Sequence, residues 1–250
     1  MSSPVHQFEI KSVFQENFVI GGIDLSFTNS ALWMAFAAIS TIIFLSISMK
    51  KKALIPTRAQ AFSEIFYEFV AGMIRENIGN DGRKYFPFVF TVFIMVLLGN
   101  IFGLLPYSFT YTSHIAVTGA LALLIFVVVL LFGFAKHGFH FFSLFVPAGV
   151  PVALLPLIIP IEIISFLIRP VTLSVRLFAN MVAGHIMLKV FAGFSATMIG
   201  IGALGALGAL GPMLFNSVLI GFELLIACLQ AYVFAVLTCI YLKDTVEIAH

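Results

Sequence analysis

Long apolar runs separated by short polar segments dominate this chain. A run of about 20 apolar residues can cross a bilayer as one α-helix. Runs at residues 29–49, 86–105 and 115–135 have that length and predict three membrane spans. The last two are joined by the uncharged sequence PYSFTYTSH, so residues 86–135 are predicted to form a helical hairpin.

A different pattern follows the first span, at residues 57–77. Apolar residues recur there at helical spacing with charged residues between them, at Phe62, Phe66, Phe69, Val70 and Met73. An apolar stripe opposite a charged face is typical of a helix that lies on a membrane surface. We therefore expect a surface amphipathic helix between the first two spans.

Residues 141–195 are too long for one perpendicular span and contain no polar loop. Two spans would reverse the C-terminus and place Arg169 and Arg176 near an interface. We favour an irregular first part containing Pro147, Pro151, Pro156 and Pro160, followed by one long tilted helix at residues 160–194, bent at Pro170. With a last span at residues 212–241, this forms a tilted hairpin over residues 141–241.

The two helices of this hairpin are connected by GIGALGALGALG at residues 200–211, in which glycine recurs every third position. Glycines on one side of a helix allow close backbone approach, and a flexible connection explains the same composition. Both interpretations are open at this stage.

Composition supports the membrane assignment, since 61% of residues are hydrophobic and 10% are charged. Soluble domains carry about 25% charged residues. The net charge of +2 is too small to suggest nucleic-acid binding. We predict one all-α integral membrane domain with about five membrane segments and a surface helix.

Charged residues at the ends of the spans predict the orientation. Lys50, Lys51 and Lys52 follow the first span, and basic flanks favour the cytoplasmic side. The first span is therefore expected to start outside, which places residues 1–28 on the outer side. These residues mix charged and apolar positions and lack the apolar core of a signal peptide, so we expect them to be retained. The last span ends at Lys243, which places the C-terminus inside.

Ionisable residues within the long hairpin indicate function. Glu162, Arg169 and Arg176 are seven residues apart on one predicted helix stripe, which Asn180 extends. We therefore expect Arg169, with Glu162 and Asn180, to lie along the proton path. An arginine at membrane depth costs at least about 2.5 kcal/mol on insertion scales, so Arg176 should act on something. Glu223 and Gln230 form a second stripe in the last span, seven residues apart.

Antiparallel helices with Arg176 and Gln230 at one level would bring His185 and Glu223 to a similar depth, about 10.5–13.5 Å further along. A histidine and a carboxylate can exchange protons, whereas arginine stays charged. His185 lies nine residues from Arg176 and so points about 180° away on a straight helix. This pattern favours ion transport over a pair that only ties helices together. Asn100 is strongly polar within the second span; a lone asparagine there more often bonds helices together than lines a channel, and we keep it as a candidate for the proton path.

Two sequences carry a family resemblance: RPVTLSVRLFANMVAGH at residues 169–185 and FELLIACLQAYVFAVLTCIYL at residues 222–242. They closely resemble subunit a of the F-type ATP synthase, the stator subunit that conducts protons to the rotating ring of c subunits. The resemblance implies that Arg176 is the essential stator charge and that Asn180 and Gln230 are its polar neighbours. It implies access-channel roles for Glu162, His185 and Glu223.

Two positions depart from the pattern of many bacterial members. In those proteins, the position of His185 is occupied by glutamate and the position of Glu223 by histidine. Some of them have an acidic residue at the position of Gly103. The arrangement here is similar to α-proteobacterial and mitochondrial relatives. We expect the chain in a bacterial inner membrane, with the mitochondrial inner membrane as the less favoured alternative.

The resemblance also implies partners and a mechanism. The partners would be the c ring, b-type peripheral stalk subunits and the catalytic ATPase head, with the chain itself non-catalytic and without a cofactor or metal. Two offset half-channels would carry protons to the ring carboxylates, with Arg176 between them. The alternative is a secondary ion-coupled transporter, although the chain shows no convincing internal repeat.

Overall fold

The fold is taken from a computed structural model, which describes residues 8–12, 19–20, 23–24, 26–48, 57–105, 108–146 and 154–246. Within these ranges the chain forms six α-helices: α1 (Asn29–Ser48), α2 (Arg58–Ile78), α3 (Phe86–Gly103), α4 (Ile115–His137), α5 (Leu155–Ile199) and α6 (Ala203–Val246). Two-residue strands, Val19–Ile20 and Ile23–Asp24, pair antiparallel before α1. Five helical segments are long and apolar enough to cross a membrane. The all-α fold with about five membrane segments is therefore confirmed.

The first three predicted spans correspond to α1, α3 and α4. Short 3-10 helices extend the hairpin, at Asn80–Tyr85, Tyr111–Ser113 and Gly138–Phe145. Lys50, Lys51 and Lys52, on which the predicted orientation rests, lie outside the described residues.

The predicted amphipathic helix is confirmed as α2. The Thr57 side chain caps its start by accepting a hydrogen bond from the Gln60 amide at 3.4 Å. Of the predicted apolar stripe, Val70 and Met73 are buried, whereas Phe62 and Phe69 are 52% and 45% exposed. Exposed aromatic side chains on this helix suit contact with lipid, and its place on the membrane surface stays a prediction.

The long helix α5 is continuous from Leu155 to Ile199, so residues 155–199 do not contain the turn that two spans would need. The predicted irregular segment is wrong at Pro156 and Pro160, which both lie inside α5. Pro156 sits in the first turn, where its missing N–H would have no helical partner. Pro147 and Pro151 lie outside the described residues, and the tilt of the helix stays a prediction.

The predicted start of the last span at residue 212 is also wrong, because α6 begins at Ala203 and includes Pro212. Residues 200–202 alone connect α5 to α6, and Gly202 has a φ of 112°. A Cβ atom on Gly205 would collide with the Met198 carbonyl oxygen. The glycine-rich sequence thus permits close approach at a tight turn rather than forming a flexible connection.

The Cα positions cluster in two units. One comprises Met1–Phe44, Met95–His114 and Leu177–Gln230, and the other comprises Leu45–Ile94, Ile115–Arg176 and Ala231–His250. In the first, Phe191 of α5 packs against Phe215 of α6 with ring centroids 4.6 Å apart. In the second, α5 packs against α4 through Phe166 and Phe126, whose centroids are 5.1 Å apart.

Gly205→Ala should reduce the amount of folded chain, because the new methyl group meets a backbone oxygen that cannot move away freely. Overpacking of this kind costs about 1–3 kcal/mol. The measurement is the chain level in membranes by quantitative immunoblot, together with the aggregation temperature in detergent. Gly211→Ala is the control on the same helix, since nothing lies within 4 Å of its added Cβ. Equal behaviour of the two variants would contradict the close approach.

Candidate functional site

His185 and Glu223 face each other in the first unit. His185 lies on α5 and Glu223 on α6, with His185 Nδ1 3.7 Å from Glu223 Oε1. Their side chains are 11% and 4% exposed. The predicted proximity of these residues is confirmed. The titratable atoms lie near enough to exchange a proton after a small movement or through one bridging group.

Gly184 makes room for this approach. A Cβ atom at Gly184 would lie 2.6 Å from Glu223 Oε1. Any larger residue would therefore push the Glu223 carboxyl group away from its place beside α5. Phe8 covers the same imidazole edge-on, with its ring centroid 6.3 Å from that of His185.

Thr110 forms the second contact of the imidazole, with its Oγ1 3.0 Å from His185 Nε2. Thr110 Oγ1 also donates to the Gly103 carbonyl oxygen at 3.1 Å. A threonine hydroxyl has one proton and a carbonyl oxygen can only accept, so Thr110 must accept its other hydrogen bond from His185 Nε2–H. Neutral His185 then has its proton on Nε2, and its Nδ1 is a proton acceptor directed at Glu223.

Thr110 also occupies the space beside Gly103. A Cβ atom at Gly103 would lie 2.5 Å from Thr110 Cγ2. Because Gly103 has no side chain, the Thr110 hydroxyl group can lie beside it and reach His185. Next in sequence, Tyr111 donates to the Met95 carbonyl oxygen at 2.9 Å, and burial raises the pKa of Tyr111 well above its ordinary value. Tyr111 therefore stays neutral and anchors the turn that presents Thr110.

Asn100 is fully buried and joins α3 to α6. Its Nδ2 donates to the Ala227 carbonyl oxygen at 3.4 Å. Ala227 lies four residues beyond Glu223 on α6, one helical turn away. Asn100 Oδ1 and both Glu223 carboxyl oxygens are buried without a hydrogen bond to any residue that the structure describes. Buried oxygen atoms that accept no hydrogen bond are rare in proteins, so these three atoms call for a functional explanation.

The two arginines of α5 differ in their surroundings within the second unit. Arg169 Nη1 lies 2.6 Å from Asp244 Oδ2, and its guanidinium group lies over the rings of Phe166 and Tyr241. Arg176 is exposed, and it has no hydrogen bond or ion pair to the described residues. On the predicted stripe, Arg169 is therefore paired with a carboxylate, whereas Arg176 has no ion pair to the described residues.

The other predicted residues are less closely associated. Gln230 is buried at 4% exposure, and Glu162 and Asn180 are partly exposed. None of the three has a side-chain hydrogen bond or ion pair to the parts of the chain that the structure describes. The common level of Arg176 and Gln230 stays a prediction.

Comparison with known proteins decides the family. Residues 31–243 match the family model described as ATP synthase A chain. The chain is 54% identical over 246 residues to ATP synthase subunit a of Rhizobium leguminosarum bv. trifolii (strain WSM2304), covering 98% of each chain. It is 54% identical over 249 residues to that of Chelativorans sp. (strain BNC1), covering 100% of this chain and 99% of the relative. It is 55% identical over 246 residues to that of Rhizobium meliloti (strain 1021), covering 98% of each chain.

The chain belongs to the ATP synthase subunit a family. Members of this family are the proton-translocating stator subunit of F0 and are not enzymes on their own. Family membership and the five apolar helices make the chain a multi-pass protein of the bacterial inner membrane. The transporter alternative receives no support.

Sequence reasoning missed Thr110 and Asp244. Each lies 75 residues from its partner, His185 and Arg169 respectively, so helical periodicity could not pair them. The hydroxyl-rich turn PYSFTYTSH was the one available signal for Thr110, because such a turn offers several donors at the end of a span. For Asp244, the signal was an acidic residue within the last turns of an apolar helix.

Thr110→Val should slow proton transport by this subunit about fivefold, since a hydrogen bond contributes about 1 kcal/mol and here sets the histidine tautomer. Thr110→Ser keeps the hydroxyl group and should retain most of the native rate. The measurement is ATP-driven acidification of inverted membrane vesicles, normalised to the amount of assembled complex. Equal rates for the valine variant and the native protein would show that the contact is only structural.

Proposed function

We propose that the chain forms two offset aqueous half-channels beside the c ring, with Arg176 as the fixed charge between them. The observation that carries this proposal is the exposed Arg176 guanidinium group, which has no anionic partner among the described residues. Arg169, seven residues earlier on the same helix, has a carboxylate partner. A charge kept within lipid without an internal partner implies a partner on another subunit.

A ring carboxylate supplies the chemistry that Arg176 requires. An opposite charge within about 4–6 Å favours the ionised form of a carboxyl group, so a protonated carboxyl that reaches Arg176 releases its proton. Arginine does not deprotonate and therefore cannot carry that proton onward. The same positive charge repels protons and so opposes a direct leak between the half-channels.

Exposed apolar residues close to Arg176 in sequence support this contact. Val171 and Val175 lie within five positions of Arg176 on α5 and are 57% and 43% exposed. An exposed apolar helix surface in a membrane subunit can face lipid or another apolar helix. With a single guanidinium group in it, this surface suits a ring of helices that each carry one carboxyl group.

His185 and Glu223 are proposed to form the proton-access path in one half-channel. The imidazole and the carboxyl group are adjacent, with Nδ1 as the acceptor. A proton that arrives on Glu223 can pass to His185 Nδ1, while Thr110 holds the ring in place. Asn100 lies beside the same part of α6 and would line the path with its free carbonyl oxygen.

The remaining predicted residues have supporting roles in this proposal. Glu162 would line the opposite half-channel, and Asn180 and Gln230 would be polar neighbours of Arg176. Arg169 differs from a channel residue because Asp244 neutralises it, so we assign it to positioning the ends of α5 and α6.

Orientation and partners complete the proposal. The N-terminus is assigned to the outer side and the C-terminus to the cytoplasm, following the positive-inside rule at Lys50–Lys52 and Lys243. The c ring, b-type peripheral stalk subunits and the catalytic ATPase head are the proposed partners, with protons as the transported ion. Each proton crossing yields about 2.3 kcal/mol per 100 mV, so several must pass for each ATP formed.

Arg176→Ala should abolish proton-driven ATP synthesis, because no fixed positive charge remains to favour proton release from the arriving carboxyl group. Arg176→Lys should also perform poorly, since an ammonium group buried against the ring can itself lose its proton. The measurement is ATP synthesis by inverted vesicles energised with an artificial proton gradient. Arg58→Ala, which removes an exposed arginine from α2, is the control and should synthesise ATP normally. Normal synthesis by Arg176→Ala vesicles would refute the proposal.

His185→Ala and Glu223→Ala should each slow proton transport by roughly a hundredfold, a typical contribution of a proton-transferring group. The exchanged variant, His185→Glu with Glu223→His, keeps one imidazole and one carboxyl group and should be faster than either single variant. Passive proton conduction through F0 is the measurement, after removal of the catalytic head. Native rates in both alanine variants would mean that the pair only ties α5 to α6.

A further inference from the structure

A cavity of about 440 Å³ lies in the second unit between α2 and the start of α3. Its walls include two arginines and two aromatic rings, from Tyr67, Arg75, Arg83 and Phe86, with Ile74 between them. None of these residues belongs to the proposed proton path. A volume of this size lies within the usual range for small-molecule sites, about 300–1,000 Å³.

A tight reversal of the backbone brings the two arginines to the same cavity. Gly79 ends α2 with a φ of 82°, and its N–H donates to the Arg75 carbonyl oxygen at 3.1 Å. Gly82 packs so closely on α2 that a Cβ atom there would lie 2.7 Å from Ile74 Cγ2. The chain therefore folds back on α2, and Arg83 returns beside Arg75.

The two arginines have no anionic partner among the side chains that the structure describes, which do not include those of Asn80 and Asp81. Both arginines are exposed, and neither forms a hydrogen bond or ion pair with those described side chains. Two guanidinium groups that line one cavity repel each other unless an anion lies between them. Guanidinium groups bind phosphate oxygens through paired hydrogen bonds, so a phosphate group matches this site in charge and in hydrogen-bonding capacity.

The level of the cavity in the membrane favours a lipid as the source of that phosphate. The apolar span that contains α3 begins at Gly82, so Arg83 lies at the boundary of the hydrocarbon region. The Tyr67 and Phe86 rings contact each other with centroids 4.5 Å apart, and aromatic residues are typical of this interface. Ile65 and Phe69 on α2 are 62% and 45% exposed and offer an apolar surface for acyl chains.

We propose that this cavity binds the phosphate group of an anionic phospholipid, with Arg75 and Arg83 as its ligands and the exposed face of α2 against its acyl chains. Free phosphate shares the headgroup chemistry but makes no use of that apolar face. Basic pockets next to membrane helices are suited to anionic lipid headgroups.

The test uses the intact ATP synthase complex, purified in a zwitterionic detergent and stripped of lipid. Phosphatidylglycerol, phosphatidylcholine and inorganic phosphate are titrated separately, and bound lipid is counted by native mass spectrometry. Arg75→Gln/Arg83→Gln should weaken phosphatidylglycerol binding by about thirtyfold, since each of the two basic residues near an anionic headgroup contributes about 1 kcal/mol. Arg58→Gln/Lys84→Gln is the matched control, because it removes the same charge from exposed residues that do not line the cavity.

A conservative variant tests the geometry in case the neutral variant assembles poorly. Arg75→Lys/Arg83→Lys keeps both charges but loses paired hydrogen bonding, and should bind phosphatidylglycerol with intermediate affinity. Native phosphatidylglycerol affinity in both cavity variants would overturn the proposal.

Three further results would overturn it. Equal weakening in the cavity variants and in the control would indicate a general charge effect. Phosphate binding that depends on Arg75 and Arg83 and displaces the lipid would indicate a free-anion site. Loss of another subunit from the cavity variants, with lipid binding unchanged, would indicate an acidic protein surface instead.

Discussion

The cost of leaving a polar group unsatisfied in lipid governs this structure. Helices α5 and α6 bond their own backbone over 45 and 44 residues, and two of the ionisable side chains within them have polar partners. Arg169 is neutralised by Asp244, and His185 is bonded to Thr110. Arg176, seven residues further along α5, has no ion pair to the described residues. In the proposed function, this unpaired guanidinium group is the point at which the subunit meets a carboxyl group of another protein.

Glycine positions decide which polar groups can meet. Gly184 leaves the space that Glu223 occupies beside His185, and Gly103 leaves the space that Thr110 occupies. Gly205 allows α6 to start immediately after α5. In lipid, helices associate through close packing rather than through the hydrophobic effect, so glycine stabilises these contacts by allowing neighbouring groups to approach the backbone.

In the proposed function, a fixed charge and titratable groups have separate roles. Arg176 can hold a charge at all working pH values but transfers no proton, whereas His185 and Glu223 can pass a proton between adjacent atoms. Thr110 connects these functions to the fold, because its single hydroxyl proton fixes which ring nitrogen of His185 is the acceptor. A rotary proton path needs both kinds of group, kept separate.

The sequence alone determined the number and type of membrane segments, the spacing of Arg169 and Arg176 along one helix, and the proximity of His185 and Glu223, because these follow from helical periodicity and hydropathy. It misjudged the starts of α5 and α6, since proline and glycine are poor helix formers in water but are tolerated where lipid forces the backbone to bond internally. Only the tertiary structure showed that Thr110 contacts His185, that Asp244 neutralises Arg169, and that Arg75 and Arg83 share a cavity. The first two contacts join residues 75 positions apart, and the third depends on a backbone reversal at two glycines. Local sequence patterns do not show which residues come into contact when they lie far apart in sequence or on either side of a backbone reversal.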